Sequence, residues 1–552
     1  MFFLSSLIVS VKKSFSVLLA TLIFLTGTGG GFSLSEYLVR GCHENFLSVP
    51  SYSFYDATAK IPRAGSIEKQ GKYTMYLAKN ESEFCQFVFR LREDRRDISL
   101  YLSDFTNENG DTLETTLARE YYVDTNSSTV SGSYPDAIVP IDCEYNFPFT
   151  AQLNYAYYIG VKSTEDSAPG LYTAEITVRS ENQPDNRFEN LKVNVYAYVW
   201  DFTLPDTPSM DTAMGLSKDN IAKFHGVSTG SAEATELYKA YYEFLLEHRI
   251  SAYSLPVDIL SDEADAYMSD PRCTSFEIPY GSDEYIQAVY QKLSTHPDWA
   301  AKAYFYPIDE PSNEDAYNSY NAITERLSRL YPGYNMVTPY YMSEVEIGGE
   351  KFSSTSLQDG KSSIICPVSN LFSSDKFCDE AHARQKNGDK LWWYVCCGPA
   401  PSSNYCNLFT QFDGIRHRLL FWQQKQLNIT GLLYWSTNYW NDVADPWQSS
   451  WTTPWTGNDT FGDGSLLYPG KSHGVNGPVS SLRLEGILNG IEDYEYLTMA
   501  EELLGKDYTD KIIAKVSRDL TNYTYSDALF AKVRTELGNA IEKAVAEQGT
   551  VK

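Results

Sequence analysis

Basic residues are scarce in this chain. Its 552 residues include 45 lysines and arginines against 72 aspartates and glutamates, which gives a formal net charge of −27. A surface of that sign repels phosphate backbones, and no basic stripe interrupts it. We therefore expect no nucleic-acid partner.

Metal-binding patterns are also lacking. The seven histidines are scattered, and none is followed by a second histidine four residues on. The nine cysteines follow no zinc spacing, and their odd number leaves any disulfide pairing open. The sequence therefore predicts neither a catalytic metal nor a cofactor.

A run long enough to span a membrane comfortably is missing as well. Near the N terminus, Lys12 and Lys13 precede a shorter apolar stretch at residues 15–25, and small residues follow up to Gly31. This order is typical of a secretory signal. We predict that residues 1–33 are a signal peptide. The mature protein is then expected to be secreted, periplasmic or at the cell surface, with no stable membrane span.

Aromatic side chains, in contrast, are abundant: they make up 14% of the residues, with 42 tyrosines and 10 tryptophans. Such rings pack on the apolar faces of sugars, but they suit a β-rich core equally well. The hydrophobic content of 43% is that of a folded protein, and the length predicts two or three domains.

Residues 34–205 are predicted to form an antiparallel β-sandwich. Short β-rich runs are separated by turn sequences such as Ala168-Pro169-Gly170. The predicted strands are residues 73–77, 84–91, 98–102, 155–161, 171–178 and 191–199. A proline-containing linker at 204–208 ends this domain.

Residues 209–482 are predicted to form a (β/α)₈ TIM-type barrel, because strand-like runs alternate with helical ones. The eight predicted strands are residues 212–216, 251–255, 275–278, 303–308, 335–341, 364–368, 391–396 and 431–435. Residues 483–552 are predicted to be a helical segment packed on the barrel, in which Glu492, Asp493 and Glu495 form the polar face of a helix. The expected fold class is multidomain, β plus α/β.

Two acidic side chains end the fourth predicted strand. Asp309 and Glu310 follow an apolar run, Pro311 stops that run, and Ser312 is the predicted cap of the next helix. The backbone turns at a strand end, so both carboxylates can reach one cavity, where their repulsion raises the pKa of one of them. Adjacent acids suit substrate-assisted cleavage, with the sugar's 2-acetamido oxygen as nucleophile, rather than the facing pair of ordinary glycosidases. An isolated Asp-Glu pair would more often be a helix cap.

Aromatic and amide side chains supply the other candidates. Trp435, Asn438 and Trp440 belong to a segment that begins as a strand and continues as a loop. Alternation places one of Trp392 and Trp393 inside the barrel and the other against the helices. The predicted substrate-binding residues are Tyr306, Tyr340, Trp393, Tyr394, Trp435, Asn438, Trp440 and Arg483. Core packing is the alternative role for the tryptophans.

Four motifs together resemble the catalytic domain of glycoside hydrolase family 123 and its broad relatives. They are residues 306–311 (Tyr-Pro-Ile-Asp-Glu-Pro), 431–440, 462–470 and 483–496, and the resemblance covers roughly residues 209–500. It implies a β-sandwich ahead of the barrel and an activity of the β-N-acetylgalactosaminidase type. By that likeness Asp309 would orient the acetamido group and Glu310 would be the acid/base.

The sequence therefore predicts an exported glycoside hydrolase that removes β-linked N-acetylhexosamine, GalNAc before others, from an oligosaccharide, glycolipid or glycoprotein glycan. One alternative is a glycosidase for sugars without an acetamido group, in which Glu310 works with a remote carboxylate such as Glu344 or Asp442. Another is a non-catalytic glycan-binding surface protein.

Overall fold

The structure is a computed structural model that describes residues 51–127, 130–142, 144, 147–182, 190–441, 443–450 and 459–549. The predicted signal peptide, Cys42, Cys143 and Asp442 lie outside the described residues. Within these ranges, every helix is too short or too polar to cross a membrane.

The described part of the chain contains twenty strands and twelve α-helices. The strands are β1 Ser51–Asp56, β2 Thr74–Lys79, β3 Ser82–Arg90, β4 Ile98–Leu102, β5 Glu114–Asn126, β6 Ser131–Pro140, β7 Asn154–Lys162, β8 Gly170–Ser180, β9 Leu191–Thr203, β10 Asp211–Met214, β11 Phe276–Glu277, β12 Ala303–Tyr304, β13 Val337–Tyr340, β14 Glu344–Ile347, β15 Glu350–Ser353, β16 Ile364–Pro367, β17 Lys390–Tyr394, β18 Gly431–Tyr434, β19 Tyr468–Pro469 and β20 Pro478–Ser481. The helices are α1 Lys218–His225, α2 Ala232–Glu247, α3 Ala264–Ser269, α4 Asp283–Leu293, α5 Pro297–Lys302, α6 Glu314–Leu330, α7 Ser354–Leu357, α8 Asp375–Lys386, α9 Gly414–Gln426, α10 Leu482–Leu504, α11 Lys506–Ile513 and α12 Asp527–Gly549.

Two sheets share one core in the N-terminal part. The first is antiparallel, with the order β1-β3-β7-β5-β6-β20-β19, and the second has the order β2-β9-β8-β4. Buried side chains alternate along β8 and β9 of the second sheet, whereas β3 and β7 in the first sheet are buried on both faces. Phe87 and Tyr157 from the first sheet lie in the same buried cluster as Leu100 and Val195 from the second. The predicted strands coincide with β2, β3, β4, β7, β8 and β9, whereas β1, β5 and β6 were not predicted.

The next part is α/β. Five parallel strands have the order β10-β18-β17-β16-β13, and β11 pairs with β12, also in parallel. Each of the eight predicted strand ranges contains a paired segment, since residue 252 forms a parallel bridge with Met214. Backbone hydrogen bonds link the remaining neighbours: Met214 N to Ser251 O (3.0 Å), Glu277 N to Tyr253 O (2.7 Å), Ile278 N to Tyr304 O (2.7 Å) and Phe305 N to Asn335 O (2.9 Å).

The last helices pack against both preceding parts, and here one prediction was wrong. Glu492, Asp493 and Glu495 do not form an exposed polar face, because each is at most 1% exposed. The helix α10 is covered by α9, α12 and strands of the first sheet, so its acids are buried and paired instead. Asp493 accepts hydrogen bonds from Arg418 (2.7 Å) and from Arg534 (2.6 Å).

Close packing of α10 on α9 requires a glycine. A Cβ atom at Gly490 would lie 2.2 Å from the ring of Phe421 on α9, so any larger residue would force the helices apart. The helix begins at Ser481, whose hydroxyl accepts from the amide of Leu484 (3.1 Å). The same serine ends β20, so the first sheet connects to α10 through this single residue.

Candidate active site

The two predicted catalytic acids lie just beyond the fourth strand segment. After Phe305, which bridges to Met336, the chain leaves the sheet and turns at Glu310, whose φ is +42°. This left-handed conformation costs a non-glycine residue about 1 kcal/mol, and such strain is concentrated at functional sites. The following helix α6 is capped by Asn313, which accepts from the amide of Ala316 (3.0 Å), and not by Ser312 as predicted.

Asp309 is exposed and is held by one tyrosine. The phenol of Tyr306 donates to Asp309 Oδ1 at 2.8 Å. The ring of Tyr306 meets that of Tyr253 edge to face at 5.7 Å, and Tyr253 donates to the carbonyl of Tyr434 at 3.1 Å. A chain of contacts therefore connects Asp309 to the end of β18 and fixes the carboxylate while leaving it open to a ligand.

Glu310 is half-buried and is held by a different tyrosine. The phenol of Tyr394, at the end of β17, donates to Glu310 Oε1. The pKa of Glu310 is raised above its ordinary value, mainly because burial disfavours the charged form; the bond from Tyr394 opposes this shift, and the charge of Asp309 adds to it. A carboxyl group with a raised pKa retains its proton closer to neutral pH, as a general acid must.

The interior of the α/β part contains the residues on one face of the strands. Tyr304, Cys366, Trp392 and Tyr394 belong to one buried cluster, which Tyr253 and Tyr306 border. Trp392 points inward, and its indole donates to Asp211 (3.2 Å).

Two predicted substrate-binding residues are not brought to the carboxylates. Trp393 points outward and packs against Phe372 at 6.1 Å. Tyr340 lies in the same outer cluster and bonds Thr355 (2.9 Å). Both side chains occupy the layer between the strands and the helices, as alternation along a strand requires for positions 340 and 393.

The two tryptophans of the 431–440 segment also differ in their exposure. Trp435 is partly exposed, and its indole donates to Asp463 Oδ1 at 2.9 Å. Trp440 is fully buried against Phe224 and donates to the carbonyl of Leu467 (2.9 Å). A Cβ atom at Gly464, whose φ is +72°, would lie 2.2 Å from Trp435, so the Gly-Asp-Gly turn is shaped to this ring.

The side chains of Asn438 and Arg483 form hydrogen bonds with other groups of the protein. Asn438 is buried and exchanges two hydrogen bonds with the backbone of Ser217, at 2.9 and 3.0 Å. Arg483 is 1% exposed and forms a two-armed pair with Asp136 at 2.8 Å, while it also donates to the carbonyl of Gly462 (2.7 Å). The arginine thus joins the loop that carries Asp463 to strand β6.

Two acids of this region, Asp463 and Glu277, were not among the residues predicted from the sequence. Asp463 is 2% exposed and accepts hydrogen bonds from both Trp435 and Tyr434 (3.3 Å). Glu277 is flanked by Phe276 and Ile278 of the outer cluster, so it points to the interior, and burial raises its pKa to about 7. An acid inside an otherwise apolar strand was the signal that could have identified Glu277.

Within the described residues, no three histidine, cysteine, aspartate or glutamate side chains cluster as a metal site would require. The arrangement that remains is two adjacent carboxyl groups. One is open to solvent and the other is half-buried with a raised pKa, and each accepts a hydrogen bond from a tyrosine.

Residues 280–500 match the model of the glycoside hydrolase 123 catalytic domain. Among solved structures, the chain is similar to a family 123 glycoside hydrolase from Clostridium perfringens described in terms of glycolipid glycan hydrolysis, with a TM-score of 0.67 and 15% identity over 91% of this chain and 100% of that one. A putative β-galactosidase from Bacteroides fragilis matches with a TM-score of only 0.27 and 10% identity over 75% of this chain and 58% of that one. No curated protein sequence matches significantly.

Proposed function

Because this chain is a glycoside hydrolase that carries a family 123 catalytic domain at residues 280–500, we propose that it removes β-linked N-acetylhexosamine, GalNAc before others, from glycans by a substrate-assisted retaining mechanism. One observation carries the proposal: Asp309 and Glu310 are neighbours held by two different tyrosines, Tyr306 and Tyr394. Neighbouring acids cannot flank a glycosidic bond from opposite sides, but they can serve a sugar that brings its own nucleophile.

The roles follow from the two environments. Glu310, whose pKa is raised by burial, donates its proton to the glycosidic oxygen as the acetamido oxygen attacks the anomeric carbon. Asp309 orients the acetamide and stabilises the charge that its nitrogen acquires in the oxazolinium intermediate. The Glu310 carboxylate then takes a proton from a water molecule as its oxygen attacks the anomeric carbon. This attack opens the oxazolinium ring with net retention of configuration and leaves Glu310 protonated again.

The alternative with a remote carboxylate receives less support. Glu344 lies in the exposed hairpin of β14 and β15 and pairs with Lys376 at 3.6 Å, on the outer surface. Asp442 lies outside the described residues. Glu277 is a further acid that points into the interior of the described strands.

We also propose that the eight strand segments form a (β/α)₈ barrel with the acids at the carboxyl ends of its strands. The hydrogen bonds that connect successive segments support this arrangement. The domain limits 34–205, 209–482 and 483–552 remain part of the proposal, as does export directed by residues 1–33.

The test is hydrolysis of two matched chromogenic β-galactosides, one with and one without the 2-acetamido group. The wild-type enzyme should cleave the acetamido sugar alone. Glu310→Gln should lose about 1,000-fold in kcat, and Asp309→Asn about 100-fold. Glu325→Gln, on the exposed face of α6, is the matched control and should keep the wild-type rate. Cleavage of the plain sugar by the wild type would instead support a remote carboxylate, and binding of glycans without cleavage would support the non-catalytic reading.

A further inference from the structure

We propose that Cys396 and Cys397 form a thiol–disulfide site at the edge of the candidate active site, and that closing a disulfide between these two neighbours reversibly lowers activity. The modification itself is independent of the substrate. Its effect on activity rests on the proposed function, because it acts through Tyr394 and Glu310.

The two thiols are already in contact. Their Sγ atoms lie 3.8 Å apart in a hydrogen bond, and both residues are partly exposed. Among the other described cysteines, Cys85, Cys273, Cys366 and Cys406 are buried. Cys378 is partly exposed but lies on α8, where its thiol donates to the carbonyl of Phe372 (3.2 Å). An oxidant therefore meets the pair at 396 and 397 before the buried thiols.

The pair adjoins the acid/base. Tyr394, which bonds Glu310, is only two residues earlier, and the buried Val395 separates it from Cys396. The charges of Asp463 and Glu310 both act on the thiol of Cys397. The pKa of Cys397 is nevertheless lowered, mainly because of its hydrogen bond with Cys396. Cys397 is therefore the better nucleophile of the two.

The chemistry is ordinary exchange with a low-molecular-weight disulfide. The Cys397 thiolate attacks one sulfur of that disulfide, forms a mixed disulfide and releases one thiolate, which takes up a proton. The Cys396 thiol loses its proton and attacks the Cys397 sulfur, which forms the bond between the neighbours and releases the second thiol. The protein loses two electrons and two protons, and the small disulfide gains them.

The product should be easily reduced. Neighbouring Cα atoms are about 3.8 Å apart across a trans peptide, whereas most disulfides join Cα atoms at about 4.4–6.8 Å. A disulfide between neighbours is therefore strained, and strained, exposed disulfides are the labile ones. Reversibility distinguishes this site from structural disulfides.

Disulfide formation must rearrange the turn after β17. The amide of Gly398 donates to Cys396 Sγ at 3.4 Å, and this contact changes when the sulfur is drawn towards Cys397. Asn407 holds the turn on both sides, since its amide donates to the carbonyls of Cys396 and Pro399, each at 3.0 Å. The change is therefore centred on the turn at 396–398, which begins two residues after Tyr394, and the charge of Glu310 acts on Cys397 within this turn.

The experiment treats the reduced full-length protein with oxidised glutathione and follows two readouts. Mass spectrometry of the peptide that contains both cysteines should show a loss of about 2 Da, restored by a phosphine reductant. Hydrolysis of the acetamido substrate should fall about fivefold and recover on reduction. Cys397→Ser should lose both responses, and Cys378→Ser should keep them.

Each readout can contradict the proposal by itself. Stable glutathione adducts or unmodified thiols in that peptide would refute the disulfide site, whatever the substrate. A complete disulfide with unchanged activity would refute the effect on the acid/base. If the enzyme cleaves no acetamido sugar, mass spectrometry still shows whether the disulfide forms. Failure of the proposed function is therefore distinguished from failure of the disulfide site. Phenylarsine oxide, which bridges two neighbouring thiols, should block formation of the disulfide in the wild type. This measurement replaces the Cys397→Ser variant if that variant does not fold.

Discussion

The phenol of Tyr394 donates a hydrogen bond to Glu310, which joins the end of the seventh strand segment to the turn after the fourth. The bond favours the ionised carboxylate, whereas burial and the charge of Asp309 favour the protonated form. The balance between these opposing influences sets the pH at which Glu310 loses its proton. The protonation of Glu310, the proposed acid/base, is therefore tuned by a residue 84 positions away in the chain.

Tyr394→Phe should raise the pKa of Glu310 further, because it removes the influence that lowers it. Glu310 then stays protonated to higher pH, and the basic limb of the kcat/KM profile moves towards higher pH, with about a tenfold loss of kcat. The matched control is Tyr304→Phe, since the Tyr304 hydroxyl is buried in the same cluster without a hydrogen-bond partner among the described residues. A basic limb that stays in place, or that moves to lower pH, would show that Glu310 is not the titrating acid.

Glu277→Gln separates the substrate-assisted mechanism from one that uses a remote carboxylate. Glu277 points to the interior, and its charge and that of Asp309 both act on Tyr253. If the acetamido group is the nucleophile, the variant should lose no more than about tenfold in kcat, against about 1,000-fold for Glu310→Gln. The measurement is kcat on the acetamido sugar, with Glu284→Gln on the exposed face of α4 as control. A loss as large as that of Glu310→Gln would identify Glu277 as a second catalytic carboxyl.

The local pattern of the chain was enough to locate most strands of the α/β part. Apolar runs bounded by turn residues predicted eight ranges, and each contains a paired segment, even where β11 and β12 are two residues long. Strand β5 was missed because its alternation includes Arg119, Glu120 and Asp124. Arg119 is compensated by Glu144, a partner that no local pattern reveals.

The candidate site was likewise only partly predictable from the sequence. The adjacency of Asp309 and Glu310 is visible in the sequence, but the tyrosine that holds Glu310 is not. Alternation required Trp392 and Trp393 to face opposite sides without saying which one faces inward. Arg483 was predicted to bind substrate because its partner Asp136, 347 residues earlier, cannot be recognised from sequence spacing. Long-range polar pairing is thus the information that the local pattern lacks.

Asp493→Asn should destabilise the whole protein. The carboxylate is 0% exposed, and it accepts hydrogen bonds from Arg418, Arg534 and the indole of Trp422. Removing its charge leaves two buried guanidinium groups short of a partner, which costs about 3–5 kcal/mol. Chemical denaturation measures the free energy of unfolding, and Asp507→Asn on the exposed face of α11 is the control. A loss below about 1 kcal/mol would mean that the remaining acids, Glu81 and Glu83, suffice for the two arginines.

Glu120 makes the free energy of unfolding depend on pH. Both carboxyl oxygens are buried without a hydrogen-bond partner among the described residues, and burial raises the pKa of this group from 4.5 to about 8, although the charge of Lys60 opposes the shift. The folded protein therefore holds a proton that the unfolded chain releases near its ordinary pKa. The stability associated with that proton is complete below the unfolded pKa of about 4.5 and is lost as the pH rises through the folded pKa of about 8.

Glu120→Gln should remove this dependence, because the amide is neutral at every pH. Between pH of about 5 and 8, the free energy of unfolding of the wild type should decline more steeply than that of the variant, by on the order of 2 kcal/mol. Glu114→Gln, the same change at the exposed start of β5, should keep the wild-type slope. Urea denaturation at several pH values gives the slopes. Parallel slopes in the wild type and Glu120→Gln would show that Glu120 is ionised in the folded protein, with Lys60, whose pKa is lowered to about 8 by burial, as its counter-ion.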